Sequence, residues 1–136
     1  MYRTAVSSEQ GNASLKTPDG QTMCTLEGRP SQSAIKVPVT SLDSVLPLDA
    51  KTQSMKIDVE GHEDKVLQGA FKTIKASRPI IFFECNPGNR AQSIETFFRE
   101  RDYSLFSLLN GKPKELSKLV PEDLPHGHHN FLARPR

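Results

Sequence analysis

The passage from Met55 to Glu84 constrains the fold more than any other part of the 136-residue chain. Met55, Ile57 and Val59 alternate with polar residues, as a half-buried strand requires, and Gly61 breaks the alternation. Val66, Leu67, Ala70, Phe71 and Ile74 then recur at helical spacing. Glu63 and Asp64 stand in the first turn and Lys72 and Lys75 in the last, the order the helix dipole favours. Arg78-Pro79 ends this helix, because the residue before a proline is driven out of the α region. Ile80-Ile81-Phe82-Phe83 follows as a continuous run of β-formers, suited to a strand covered on both faces. Strand, helix, strand in that order makes a right-handed crossover between parallel strands. Both strands then point the same way, and their carboxyl ends share the sheet edge where open α/β folds bind ligands.

The flanks are read with less periodicity. Residues 1–34 are polar and turn-rich, with Gly11, Pro18-Asp19-Gly20, Gly28 and Arg29-Pro30 around candidate strands at Thr4–Ser7 and Ala13–Lys16. Ile35–Val39 alternates as a strand, in which Pro38 lacks a ladder donor and so favours an edge or a strand end. Thr40–Leu46 reads as a capped helical turn closed by Pro47. Beyond the turn Asn86-Pro87-Gly88-Asn89, a second amphipathic helix carries Ala91, Ile94, Phe97, Phe98 and Arg101. Tyr103–Leu109, the Asn110-Gly111 turn signal and a last strand at Asn130–Ala133 close the chain. The expected organisation is one α/β domain over 1–136, with an irregular or antiparallel excursion at 1–50 and a core at 51–136.

Bulk properties exclude more than they assign. The 18 basic and 16 acidic residues are mixed along the chain, leaving +2 and no single-sign block aimed at nucleic acid or a membrane surface. No apolar run reaches the roughly 18 residues of a membrane span, and Met1-Tyr2-Arg3-Thr4 does not lead into the apolar core of a signal peptide. Cys24 and Cys85 are far apart and lack metal-ligand spacing, which suits reduced thiols and a cytoplasmic setting.

The chemistry concentrates at the expected sheet edge. Asp58 and Glu60 end the first strand, Glu84 ends the second and Asn86 lies just beyond it. Carboxylates this close raise one another's pKa or recruit a cation, and those ending buried strands need partners. Glu63 and Asp64 are read only as acids at a helix start. His62 is placed to act as base or ligand beside the acids, or to face water. Pro125-His126-Gly127-His128-His129 has no acid or cysteine at ligand spacing and reads as a solvated loop. No nucleophile elbow, Walker loop or HExxH motif is present.

Four segments together resemble a known family: Val37-Pro38-Val39-Thr40-Ser41-Leu42-Asp43, Lys56-Ile57-Asp58-Val59-Glu60-Gly61-His62-Glu63, Val66-Leu67-Gln68-Gly69-Ala70 and Arg78 to Glu84. Their order and spacing are similar to those of the FkbM-type methyltransferases. That resemblance implies a partial Rossmann-like sheet, mostly parallel, with an antiparallel C-terminal hairpin and helices packed on it. It implies S-adenosylmethionine as cofactor and methyl transfer to a hydroxyl of a small molecule or glycan, without a metal. Asp58, Glu60 and Glu84 would be catalytic, His62 and Asn86 would bind substrate, and Ala5, Val6 and Ser7 would lie near the adenine. The family's glycine-rich loop and the acidic residue that holds the ribose have no counterpart here. The expectation is therefore a domain that starts inside the third strand, with an incomplete cofactor pocket and an upstream half or partner chain completing the sheet. Two further readings stay open, a non-catalytic partner-binding fragment and a hydrolase using the three acids around magnesium.

Overall fold

The structure, a computed structural model, describes residues 4–16, 25–27, 34–47, 49–88, 90–125, 127 and 129–136. The turns expected at Pro18–Gly20 and Gly28–Pro30, together with Cys24, Asn89, His126 and His128, lie outside the described residues.

The N-terminal part forms a sheet of its own. Strands β1 (Ala5–Val6), β2 (Gly11–Lys16), β3 (Thr25–Glu27) and β4 (Ala34–Thr40) lie in the order β1-β4-β2-β3. β2 pairs antiparallel with β3 and β4, whereas β1 pairs parallel with β4, Ala5 against Val39 and Val6 against Thr40. Pro38 sits near the end of β4, which has neighbours on both sides, but at a position that pairs with β2 alone, in keeping with the expected edge or strand end. It is accommodated because β1 reaches only as far as Val39, and the Thr4 hydroxyl donates to the Pro38 carbonyl at 2.8 Å in place of a ladder bond. Helix α1 (Leu42–Val45) follows; Ser41 at its start bonds Ser44 Oγ at 2.6 Å and makes no side-chain cap.

The larger sheet holds β5 (Ser54–Ile57), β6 (Ile80–Glu84), β7 (Tyr103–Leu109), β8 (Lys112–Leu116) and β9 (Asn130–Pro135), in the order β5-β6-β9-β7-β8. β5 and β6 are parallel, as the crossover demands, with Ile57 against Phe83. The expectation of a mostly parallel sheet does not hold: β9 enters between β6 and β7 and runs against both, and β7 turns back into β8. Asn110 and Gly111 make that turn with φ of 52° and 71°, the pair of positive values a two-residue hairpin needs.

The crossover helix is broken into α2 (Glu63–Gly69) and α3 (Phe71–Ser77). Asp43 supplies the start of α3 from a distance, accepting from the Lys72 and Thr73 amides at 2.8 and 2.9 Å and from the Thr73 hydroxyl at 2.8 Å. α4 (Arg90–Arg99) packs beside α2. Leu67, Ile74, Ile94 and Phe98 meet Ile81, Phe83, Leu105, Phe131 and Ala133 in one core, with the Phe83 and Phe98 ring centroids 5.2 Å apart. Each such fully buried side chain contributes about 1.5–3 kcal/mol relative to exposure. The opposite side of β6 is open, with Ile80 and Phe82 at 39% and 42% exposure. The apolar run there is covered on one face, because the core helices contribute their apolar residues to the Ile81 and Phe83 side.

Candidate functional site

β5 and β6 leave the sheet side by side, so Asp58 and Glu84 arrive at the same rim. The chain then turns sharply. Glu60 takes φ of 51° and Gly61 88°, and a left-handed conformation at a non-glycine residue costs about 1–2 kcal/mol. One carboxylate oxygen from each of Asp58, Glu60 and Glu84 lies within 4.8 Å of the others, Asp58 exposed and the two glutamates half-buried.

The environments of these acids push them apart. The Lys56 ammonium lies 2.7 Å from Asp58 Oδ2, and that hydrogen bond holds the Asp58 carboxyl below its ordinary pKa. Glu84 moves the other way: burial raises its pKa, and the Glu60 and Asp58 charges add to the rise. Neighbouring carboxyl groups displaced in opposite directions form the pattern that divides proton-holding from charge-holding roles. Lys56 went unremarked in the sequence, although its position two residues before Asp58, hence on the same side of an extended chain, was the signal.

Glu63 lies behind this group at the start of α2, and its charge adds to the rise in the Glu84 pKa. It is buried, and its Oε1 accepts from the Gly61 amide at 3.0 Å, a closure of the helix start. His62 is half-buried and turned to Ser7, its Nε2 3.0 Å from Ser7 Oγ, and burial lowers its pKa, favouring the neutral ring. Residues assigned to the cofactor and substrate sides therefore touch. Ser7 is otherwise held by its amide, which donates to the Thr40 carbonyl at 2.8 Å, and by Gly69, where any Cβ would collide with the Ser7 carbonyl oxygen. Val6 lines an apolar hollow of about 330 Å³ with Leu42, Leu46, Met55, Ile57 and Val66, and Ala5 lies half-buried beside it in β1.

Asn86 stands on the same rim, exposed, its Oδ1 3.1 Å from His129 Nδ1. The backbone repeats the link, since the Cys85 amide donates to the His129 carbonyl at 2.9 Å. His129 is half-buried at the rim, at the end of a segment whose other described residues, Pro125 and Gly127, are exposed as a solvated loop would be. Nothing near it in the sequence signalled this, because the contact spans 43 residues. Cys85 between Glu84 and Asn86 is a free, buried thiol whose pKa burial pushes up to about 12, which makes it unreactive.

A crossover-linked parallel pair with acids at its carboxyl rim defines an α/β domain with a polar site at the strand ends. The model of the Methyltransferase FkbM domain matches residues 2–105, most of the chain, and the chain belongs to that family of methyltransferases. Searches of curated proteins and of solved structures found no match. Among the described residues, no helix is long and apolar enough to cross a membrane.

Proposed function

We propose that this chain forms the acceptor-side part of an S-adenosylmethionine-dependent O-methyltransferase acting on a hydroxyl-bearing small molecule or glycan. The observation that carries this reading is the convergence of Asp58, Glu60 and Glu84 at one rim in a member of a methyltransferase family. The residues around β1 fit the cofactor in part. The hollow lined by Val6, Leu42 and Met55 has the size and apolarity for a purine ring, whereas the Ser7 hydroxyl is engaged by His62. When bound, S-adenosylmethionine supplies a methyl carbon on a positively charged sulfur.

The chain's own residues would then act on the acceptor. Glu84, with the raised proton affinity, would accept the acceptor's hydroxyl proton; Asp58, held ionised by Lys56, would orient the hydroxyl, and Glu60 would sustain the negative field. Alignment of oxygen and carbon provides most of the rate gain in such a transfer. β1 and β5 each have a side unpaired among the described strands, so the reading includes an upstream segment or partner chain that completes the sheet.

Calorimetry of the chain with S-adenosylhomocysteine and, separately, magnesium tests this. Saturable heat with the nucleoside is expected. Heat with magnesium alone would favour a metal-dependent hydrolase, the second reading, which rests on three carboxylates spaced to hold a hard cation. Silence in both would leave a partner-binding domain. In an assembly that transfers methyl groups, Glu84→Gln is expected to lower kcat about 10²–10⁴-fold. An unchanged rate removes Glu84 from the proton-accepting role.

A further inference from the structure

The geometry points to a second copy of this chain as the partner of the open sheet face, the two sheets packed about a two-fold axis that runs along β9. One register row crosses all five strands of that face. Lys56 pairs with Phe82, Phe82 with Leu132, Leu132 with Phe106 and Phe106 with Glu115, so these five side chains stand side by side on the side turned away from the core helices. The row is apolar in the middle and oppositely charged at its ends. Phe82 is exposed, Phe106 half-buried and Leu132 buried between them in the register. The Lys56 side chain is 72% exposed beyond its bond to Asp58 and has N–H donors to spare. Glu115 is exposed and has no partner among the described residues.

The place of β9 in the sheet makes the row self-complementary. β9 is the middle strand, with β5 and β8 two strands away on either side, so Lys56 and Glu115 each lie about 10 Å from it. Two copies packed face to face are related by an axis lying in the plane of contact. An axis along β9 exchanges the two flanks: Lys56 meets the second copy's Glu115 at one end and Glu115 meets its Lys56 at the other, Phe82 meets Phe106, and Leu132 meets itself. An axis across the strands would set lysine on lysine and glutamate on glutamate, so the charges choose the first. Packed sheets stand about 10 Å apart, a gap that an extended lysine and glutamate span between them. Arg134, on β9, meets its own copy, but its guanidinium is drawn aside over the Phe106 ring of its own chain, 5.7 Å from the centroid. Asp58 and Glu84 lie about 7 Å further along the strands, at the margin of the contact. Five strands give a face of about 24 Å by 17 Å, smaller than the roughly 800 Å² each partner contributes to a standard interface, so the dimer comes apart on dilution.

Sedimentation equilibrium of the full chain, of Lys56→Glu, of Glu115→Lys and of the two variants mixed tests this. Both positions are exposed, and thermal melts check that the variants keep their fold. Each variant alone brings like charges together at both ends of the contact and is expected to dimerise about tenfold or more weakly than wild type. Mixed in equal amounts, the two variants again oppose glutamate to lysine at both ends, and a heterodimer of near wild-type affinity is expected. Pairing of strand edges through β1 or β5 gives no such rescue, because Glu115 lies on β8 at the far side of the sheet. A folded variant that associates as wild type does, or a mixture as weak as its parts, would overturn the proposal. So would a wild type that stays monomeric at every concentration, which would leave the face to an upstream segment or a different protein.

Discussion

At 2.7 Å from Asp58, the Lys56 ammonium settles which acid of the rim stays charged, and Glu84, with burial and two like charges against it, is left holding the proton most easily. Its folded pKa lies above the unfolded one. The stability linked to Glu84 is therefore fully present below the ordinary glutamate range and is lost as pH rises through the folded value. Glu84→Gln removes that loss, and thermal melts are expected to show the variant more stable than wild type at neutral pH and not at pH near 3. Glu60→Gln removes one of the two neighbouring charges. Carbon-13 titration of the Glu84 carboxyl is expected to move to lower pH in that variant, and a midpoint that stays put would remove the Glu60 charge from the causes of the rise. The acids were legible because each ends an apolar run. Their division of labour was not, since it depends on Lys56 reaching Asp58 and on how deep Glu84 sits.

Asp43 joins two elements that the sequence keeps about thirty residues apart. By capping α3 from α1 it lets the crossover helix break at Ala70, and the break lets Gly69 pack against the Ser7 carbonyl. The break was not legible, because Val66 to Ile74 keep an unbroken helical period. A remote carboxylate that satisfies the α3 amides leaves no trace in local pattern. Asp43→Ala is expected to lower unfolding free energy in urea by about 0.5–2 kcal/mol, the usual range for loss of a helix cap. Hydrogen exchange should quicken first at Lys72 and Thr73, whose amides lose their acceptor.

At the scale of the molecule, the outer edges of β1 and β5 among the described strands leave backbone groups unpaired, and the sheet face bearing Ile80 and Phe82 leaves apolar side chains exposed. Unpaired edges and apolar patches drive association. Sedimentation velocity is expected to show mass rising with concentration, and Phe82→Thr, which changes a side chain already 42% exposed, to shift the chain toward monomer with little loss of stability. Concentration-independent monomers in wild type would show that the open face is harmless in water.

Hydrophobic spacing alone determined the strand-helix-strand unit at 55–84, its handedness, and hence the meeting of Asp58, Glu60 and Glu84, because period and crossover geometry are local properties that each residue carries with it. Sheet order was decided only in three dimensions: β9 returns from the end of the chain to lie between β6 and β7, and no local pattern says where a distant strand will pair. The same holds for His129 on Asn86 and His62 on Ser7, contacts across 43 and 55 residues that exist because separate strands end at neighbouring points in space.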